Sequence, residues 1–75
     1  MVRLPTVTPR QVIAVLNQVG FEIDHQTGSH IILWRYTDNR RVVVPWHSND
    51  LGRGLTLRIL KSAGLTREEF IELLK

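Results

Sequence analysis

Phe21-Glu22-Ile23-Asp24-His25-Gln26-Thr27-Gly28-Ser29-His30-Ile31-Ile32-Leu33-Trp34 reads as two β-strands joined by a tight turn. Residues 21–25 alternate apolar and polar, as a half-buried strand does. Thr27-Gly28 supplies a two-residue turn, and a second strand follows from Ser29 to Thr37. Asp38-Asn39, both tolerant of positive φ, make the next turn. Arg40 to Pro45, built on Val42-Val43-Val44, is a third strand. Consecutive strands on short loops define an antiparallel sheet whose apolar face must be covered by helices.

The flanks supply those helices. Thr8-Pro9-Arg10-Gln11 is a helix start with a capping threonine and proline at the first position. Val12, Val15, Leu16 and Val19 recur at helical spacing until Gly20. A polar loop from Ser48 to Gly54 leads to a second helix, Leu55 to Ala63, with Gly64 at its end. Thr66-Arg67-Glu68-Glu69 opens a third, with Phe70, Ile71, Leu73 and Leu74. The order α-β-β-β-α-α defines an α+β fold, a three-stranded antiparallel sheet packed against helices.

The chain has 75 residues, 43% of them apolar, which fits one domain over residues 1–75 with one modest core. Cysteine is absent, so there is no disulfide and no thiolate zinc site. No apolar run approaches the roughly 18 residues that span a bilayer. Met1 to Thr8 lacks a signal-peptide core. The expectation is a soluble cytoplasmic protein with no membrane partner.

Two-residue turns would set the register. Gln26 then faces Ser29 and His25 faces His30, while Thr37 faces Arg40 and His30 faces His47. Residues directly opposite share a sheet face. All three histidines would therefore lie in one row, on the face carrying Phe21, Ile23, Ile32, Trp34, Val43 and Pro45, expected to be the helix-covered one. One residue more or fewer in a loop flips a strand to the other face.

Histidine, with an ordinary pKa of about 6.5, both takes and gives protons near neutrality. His30, set at a strand start by the turn glycine, is the first candidate for chemistry. It can deprotonate a ribose 2′-hydroxyl that attacks the adjacent phosphate, or protonate the leaving 5′-oxygen. The competing reading is a strand-edge histidine bonded to backbone. His47 and His25, with Ser29, are candidates for support, His47 equally as a cap on the next turn. A three-histidine zinc site is conceivable, yet no helical His-x-x-x-His pair or fourth ligand accompanies it; no metal or cofactor is expected.

Lys and Arg number 10 against 7 Asp and Glu, a net charge of +3. Most of the basic residues precede or occupy the second helix, and this permits a phosphate-rich partner without demanding one. The candidates for RNA contact are Gly28, Arg35, Arg40, Arg41, Arg53, Arg58 and Lys61, since guanidinium forks match phosphate oxygens. Arg58 and Lys61 read equally as a solvated helix face. Gly52 and Gly54 leave backbone amides free near a helix start. Trp34 and Tyr36 are candidates for base stacking, with Trp34 also readable as core.

Gly20-Phe21, Gln26-Thr27-Gly28-Ser29-His30, Val44-Pro45-Trp46-His47, Gly54 and Ile59-Leu60-Lys61-Ser62-Ala63-Gly64-Leu65 occur in that order. The arrangement resembles the HicA family of bacterial and archaeal toxins, also described as YcfA-like, from about Val7 to Leu74. The resemblance implies a fold like a double-stranded-RNA-binding domain. It implies a metal-independent, ribosome-independent mRNA endoribonuclease, blocked by a HicB-like antitoxin, with no direct DNA binding by this chain. It also implies that His30 is catalytic, and His47 matches a second recurrent histidine. Two positions depart from the pattern: His25 stands where the family usually has Arg or Lys, and Leu55-Thr56 replaces the commoner Thr-Leu, losing a helix cap. A non-catalytic RNA-binding module of the same fold is the alternative, and a protein-interaction domain with no RNA affinity is a third class.

Overall fold

Thr8 and Gln11 start the first helix, α1 (Pro9–Gln18). Gln11 Oε1 accepts the Thr8 N–H at 2.8 Å and Thr8 Oγ1 accepts the Gln11 N–H at 3.3 Å, closing a capping box. Gly20 at φ 96° reverses the chain, and the Phe21 N–H bonds back to the Leu16 carbonyl at 3.0 Å. The positive φ favours glycine there, and a Cβ would also crowd the Arg35 side chain at 3.3 Å. The computed structural model describes residues 3–47 and 49–75. Met1 and Val2, which open the segment lacking a signal-peptide core, and Ser48, where the expected polar loop begins, lie outside the described residues.

Strands β1 (Glu22–Gln26), β2 (His30–Arg35) and β3 (Arg40–Pro45) form one antiparallel sheet in the order β1-β2-β3. Helices α2 (Arg53–Ala63) and α3 (Arg67–Leu74) complete the order α-β-β-β-α-α, the α+β architecture expected. Thr66 and Glu69 close a second capping box at α3. Helix α2 begins at Arg53, two residues before its expected start. Thr56 is no cap: it is buried in the first turn and donates its hydroxyl proton to the Gly52 carbonyl at 3.0 Å.

The helices cover one face of the sheet. Val12, Val15 and Leu16, Ile59, Leu60 and Ala63, and Phe70 pack against Ile31, Leu33, Val42 and Val44, all essentially buried. Burying each large aliphatic or aromatic side chain contributes roughly 1.5–3 kcal/mol. The N-terminal segment is tied in by a bridge between Val7 and Leu51 and by the Arg53 Nε–H, which donates to the Leu4 carbonyl at 2.8 Å.

This corrects the expected covered face. Ile32, Trp34, Val43 and Pro45 do share a face with His30, but it is the one the helices leave open. Both alternations along β2 and β3 are apolar, so sequence spacing could not choose between them. Ile31, Leu33, Val42 and Val44 pack under the helices, with Arg35 and Arg40 at the end of the same alternation, whereas the open set holds His30 and Arg41. Phe21 and Ile23 belong to the other face, because a bulge intervenes. Ile23 pairs with Leu33 and His25 with Ile32, leaving Asp24 as an extra residue between them. One extra residue inverts the facing of everything beyond it.

Both turns differ from expectation as well. Thr27 and His30 flank a Gly28-Ser29 turn, with the Thr27 N–H bonded to the His30 carbonyl at 2.9 Å. The second turn spans Tyr36 to Asn39, between the paired Arg35 and Arg40, with Asn39 at φ 54°. His25 therefore faces Ile32 rather than His30, and His30 faces Pro45 rather than His47. The β2–β3 register and the turn-side part of the β1–β2 register each move by two residues, which preserves facing, whereas Ile23 and Glu22, beyond the bulge, move by one. His25 and His30 share the open face as diagonal neighbours instead of a directly opposed pair.

Candidate active site

His30 begins β2 immediately after the Gly28-Ser29 turn, and three groups fix it there. Thr27 Oγ1 accepts the His30 N–H at 3.1 Å, and the Thr27 hydroxyl lies 3.3 Å from the His30 carbonyl, to which it donates. The Trp46 N–H donates to the Ser29 carbonyl at 2.8 Å, tying the turn to the end of β3. Ser29 Oγ lies 2.9 Å from His30 Nδ1. When Nδ1 carries the proton and donates it to Ser29 Oγ, the Nε2 lone pair is the free position on the ring. His30 itself is exposed.

A second histidine is equally constrained. His25 Nδ1 lies 2.8 Å from Asp24 Oδ2, and the Tyr36 hydroxyl donates to Asp24 Oδ1 at 3.1 Å. Both carboxylate oxygens are thus engaged from opposite sides. The hydrogen bond from His25, then that from Tyr36, holds the Asp24 carboxyl below its ordinary range, with Arg41 adding a smaller Coulombic pull. The same bond pushes the Tyr36 hydroxyl up, because losing its proton would set two anions together. The Asp24-His25-Tyr36 chain was missed by sequence reasoning. The available signal was an acid adjacent to a histidine in a strand whose alternation could be broken.

Beyond these groups the open face is apolar, then cationic. Trp34 is half-buried and stacks against Tyr36, with ring centroids 6.1 Å apart and planes 16° from parallel. Arg41 pairs with Trp34 across β3 and is exposed. Glu22 pairs with Trp34 on the opposite side, so the β1 edge is acidic and the β3 edge basic.

The other expected site residues are distributed as follows. His47 lies beyond the last paired residue of β3, lining a concavity of about 480 Å³ with Thr8, Arg10 and Trp46. The Arg10 guanidinium sits 5.5 Å over the Trp46 ring there. Among the described residues no hydrogen bond joins His47 to His25 or His30. No cluster of three or more His, Asp or Glu side chains able to hold a metal occurs among them.

Arg35 is turned into the fold. It bonds both Asp38 oxygens at 3.0 and 2.8 Å and the Val19 carbonyl at 2.9 Å, and lies 4.6 Å over the Phe21 ring. Arg40 donates to Asp38 at 3.0 Å and to the Ser62 carbonyl at 3.1 Å. Arg53 holds Leu4, whereas Gly28, Arg58 and Lys61 are exposed, the last two on α2.

The fold and site define a small α+β domain that presents exposed histidines on an uncovered sheet face. The family model for the HicA toxin of bacterial toxin-antitoxin systems matches residues 9–65, and the chain belongs to that family. It is a toxin of a toxin-antitoxin system, and membership implies an antitoxin partner of HicB type. No curated protein matches the chain at a significant level. Among the described residues no helix is long and apolar enough to cross a membrane.

Proposed function

We propose that this toxin is a metal-independent mRNA endoribonuclease, acting without the ribosome, in which His30 is the proton-transfer residue. The observation that carries the reading is His30 itself, exposed at a strand start with Ser29 Oγ 2.9 Å from its Nδ1. Nε2 takes the proton of a ribose 2′-hydroxyl as that oxygen attacks the neighbouring phosphorus. General-base assistance of this kind contributes about 10²- to 10⁴-fold.

RNA lies over the open face. Its phosphates run from His30 toward Arg41, on the β3 side, and Arg58 and Lys61 add longer-range attraction. A HicB-like antitoxin suppresses the activity by denying RNA this face.

Purified protein incubated with mRNA in EDTA tests the proposal. Cleavage is expected, and His30→Ala is expected to fold normally, to bind RNA, and to lose both cleavage and growth arrest. A His30→Ala variant with full activity would remove His30 from the mechanism. Retention of RNA without cleavage by the native protein would instead establish a binding module.

A further inference from the structure

General-base catalysis accounts for one of two proton transfers. When the 5′-oxygen leaves it must acquire a proton, and neither Ser29 nor a guanidinium is suited to give one: a hydroxyl is too weak an acid and arginine stays protonated. A second imidazole on the same face, within one phosphate's width of His30, can supply it.

His25 meets that requirement. It pairs with Ile32, and His30 is two residues along β2 from Ile32 on the same face. Diagonal neighbours of this kind have Cβ atoms about 7 Å apart. Two imidazoles at that spacing leave room for a phosphate between them, each nitrogen reaching its oxygen at about 3 Å. The His25 side chain is 57% exposed, so its free ring nitrogen has access to substrate.

Resting on the nuclease reading above, we infer that His25, oriented by Asp24, is the general acid that protonates the leaving 5′-oxygen while His30 acts as the base. His25 Nδ1–H donates to Asp24 Oδ2, which fixes the ring and leaves Nε2 as the nitrogen free to serve substrate. A carboxylate bonded to one ring nitrogen holds the imidazole in a fixed orientation, as an orienting group for an acid–base histidine does. Asp24 is itself fixed, since the Tyr36 hydroxyl donates to its other oxygen.

The groups acting on the Asp24-His25 pair are Glu22 on β1, His30 and Tyr36 from β2 and its following turn, and Arg41 from β3. Tyr36 is neutral near pH 7, its proton retained by Asp24. Asp24 is the carboxylate bonded to His25, and Arg41 exerts a smaller Coulombic pull on Asp24.

The step balances. The 2′-hydroxyl proton passes to His30 Nε2 as the 2′-oxygen bonds to phosphorus. The bond from phosphorus to the 5′-oxygen breaks, and that oxygen takes the His25 Nε2 proton. The products are a 2′,3′-cyclic phosphate end and a 5′-hydroxyl end. His30 is left protonated and His25 neutral, and exchange with water restores both.

A substrate whose bridging 5′-oxygen is replaced by sulfur separates the roles, because a thiolate leaves without protonation. His25→Ala is expected to cleave ordinary RNA about 10²- to 10⁴-fold more slowly, and to cleave the sulfur-bridged linkage at nearly the native rate. Its pH profile should lose the alkaline descent of the native bell. His25→Arg, which keeps a cation, should hold KM near native without recovering kcat. His30→Ala should fail on both substrates. Native cleavage of ordinary RNA by His25→Ala, or failure on the sulfur-bridged substrate too, overturns the assignment and leaves His30 standing. A native protein that cleaves no RNA overturns the nuclease reading first, and this assignment with it.

Discussion

Thr27 and His30 grip one another across a two-residue turn, through the Thr27 N–H to the His30 carbonyl at 2.9 Å and the His30 N–H to Thr27 Oγ1 at 3.1 Å. The turn is therefore closed by a side chain as well as by backbone. The imidazole projects from the residue so held, and its placement inherits the stiffness of that clasp.

Replacing Thr27 with Val keeps the β-branched shape and removes the hydroxyl, which leaves the His30 N–H without its partner. Loss of one such bond is worth about 1 kcal/mol. In the proposed reaction Thr27→Val should lower kcat about tenfold with KM little changed, and Thr27→Ser should restore most of it. A fall in KM-controlled binding with kcat intact would contradict a positioning role for Thr27.

Element order, capping boxes and the antiparallel sheet were legible because each rests on local chemistry. Thr8 with Gln11 and Thr66 with Glu69 announce helix starts within four residues, and the structure shows both boxes closed. Register and facing were not legible, because they depend on single-residue differences. Thr27-Gly28 and Gly28-Ser29 are both acceptable two-residue turns, and the Thr27 hydroxyl selects the second. The Asp24 bulge leaves no mark in composition, yet it separates Ile23 from His25. His30 was legible as a candidate because a glycine turn and a strand start bracket it. The Asp24 to Tyr36 bond joins the first strand to the second turn, a distance no local pattern spans.

The arginines divide by what they touch. Arg53 is bonded to the Leu4 carbonyl, while Arg41 stands exposed on the open face beside Trp34. For the proposed RNA complex, Arg41→Ala should reduce the slope of log affinity against log salt by about 0.7, the value of one single-strand phosphate contact. Arg53→Ala should leave the slope unchanged and lower unfolding free energy by about 1 kcal/mol. Equal slopes in all three proteins would place RNA elsewhere.

Trp34 and Tyr36 offer a flat surface two and three alternate positions along β2 from His30, at about 6.6 Å per pair of residues. A single RNA strand following the open face would lay bases on these rings. Stacking of this kind is worth about 1–3 kcal/mol per base, so Trp34→Ala should raise KM at least about fivefold with kcat within a few-fold of native. Circular dichroism should show the fold intact, as Trp34 lies outside the helix-covered core. An unchanged KM would mean that bases do not reach this end of the sheet.

Asp38 controls how the fold responds to acid. Its carboxylate bonds Arg35 and Arg40, and Arg35 in turn reaches the Val19 and Ala63 carbonyls at the ends of α1 and α2. The Arg35 hydrogen bonds, with Arg40 adding to them, bring Asp38 down from 3.8 to about 2. Because the folded value lies below the ordinary one, the folded state favours the ionised form. The stabilisation is present above the ordinary value and is lost as pH falls from about 4 toward 2. Asp38→Asn should therefore be less stable than the native protein at neutral pH, and the gap should close steadily below pH 4. Solvent exposure makes the effect modest and salt-sensitive. Urea unfolding of both proteins across pH 2 to 7 measures it, and a gap that stays constant to pH 2 would show that the Asp38 charge contributes nothing to the latch.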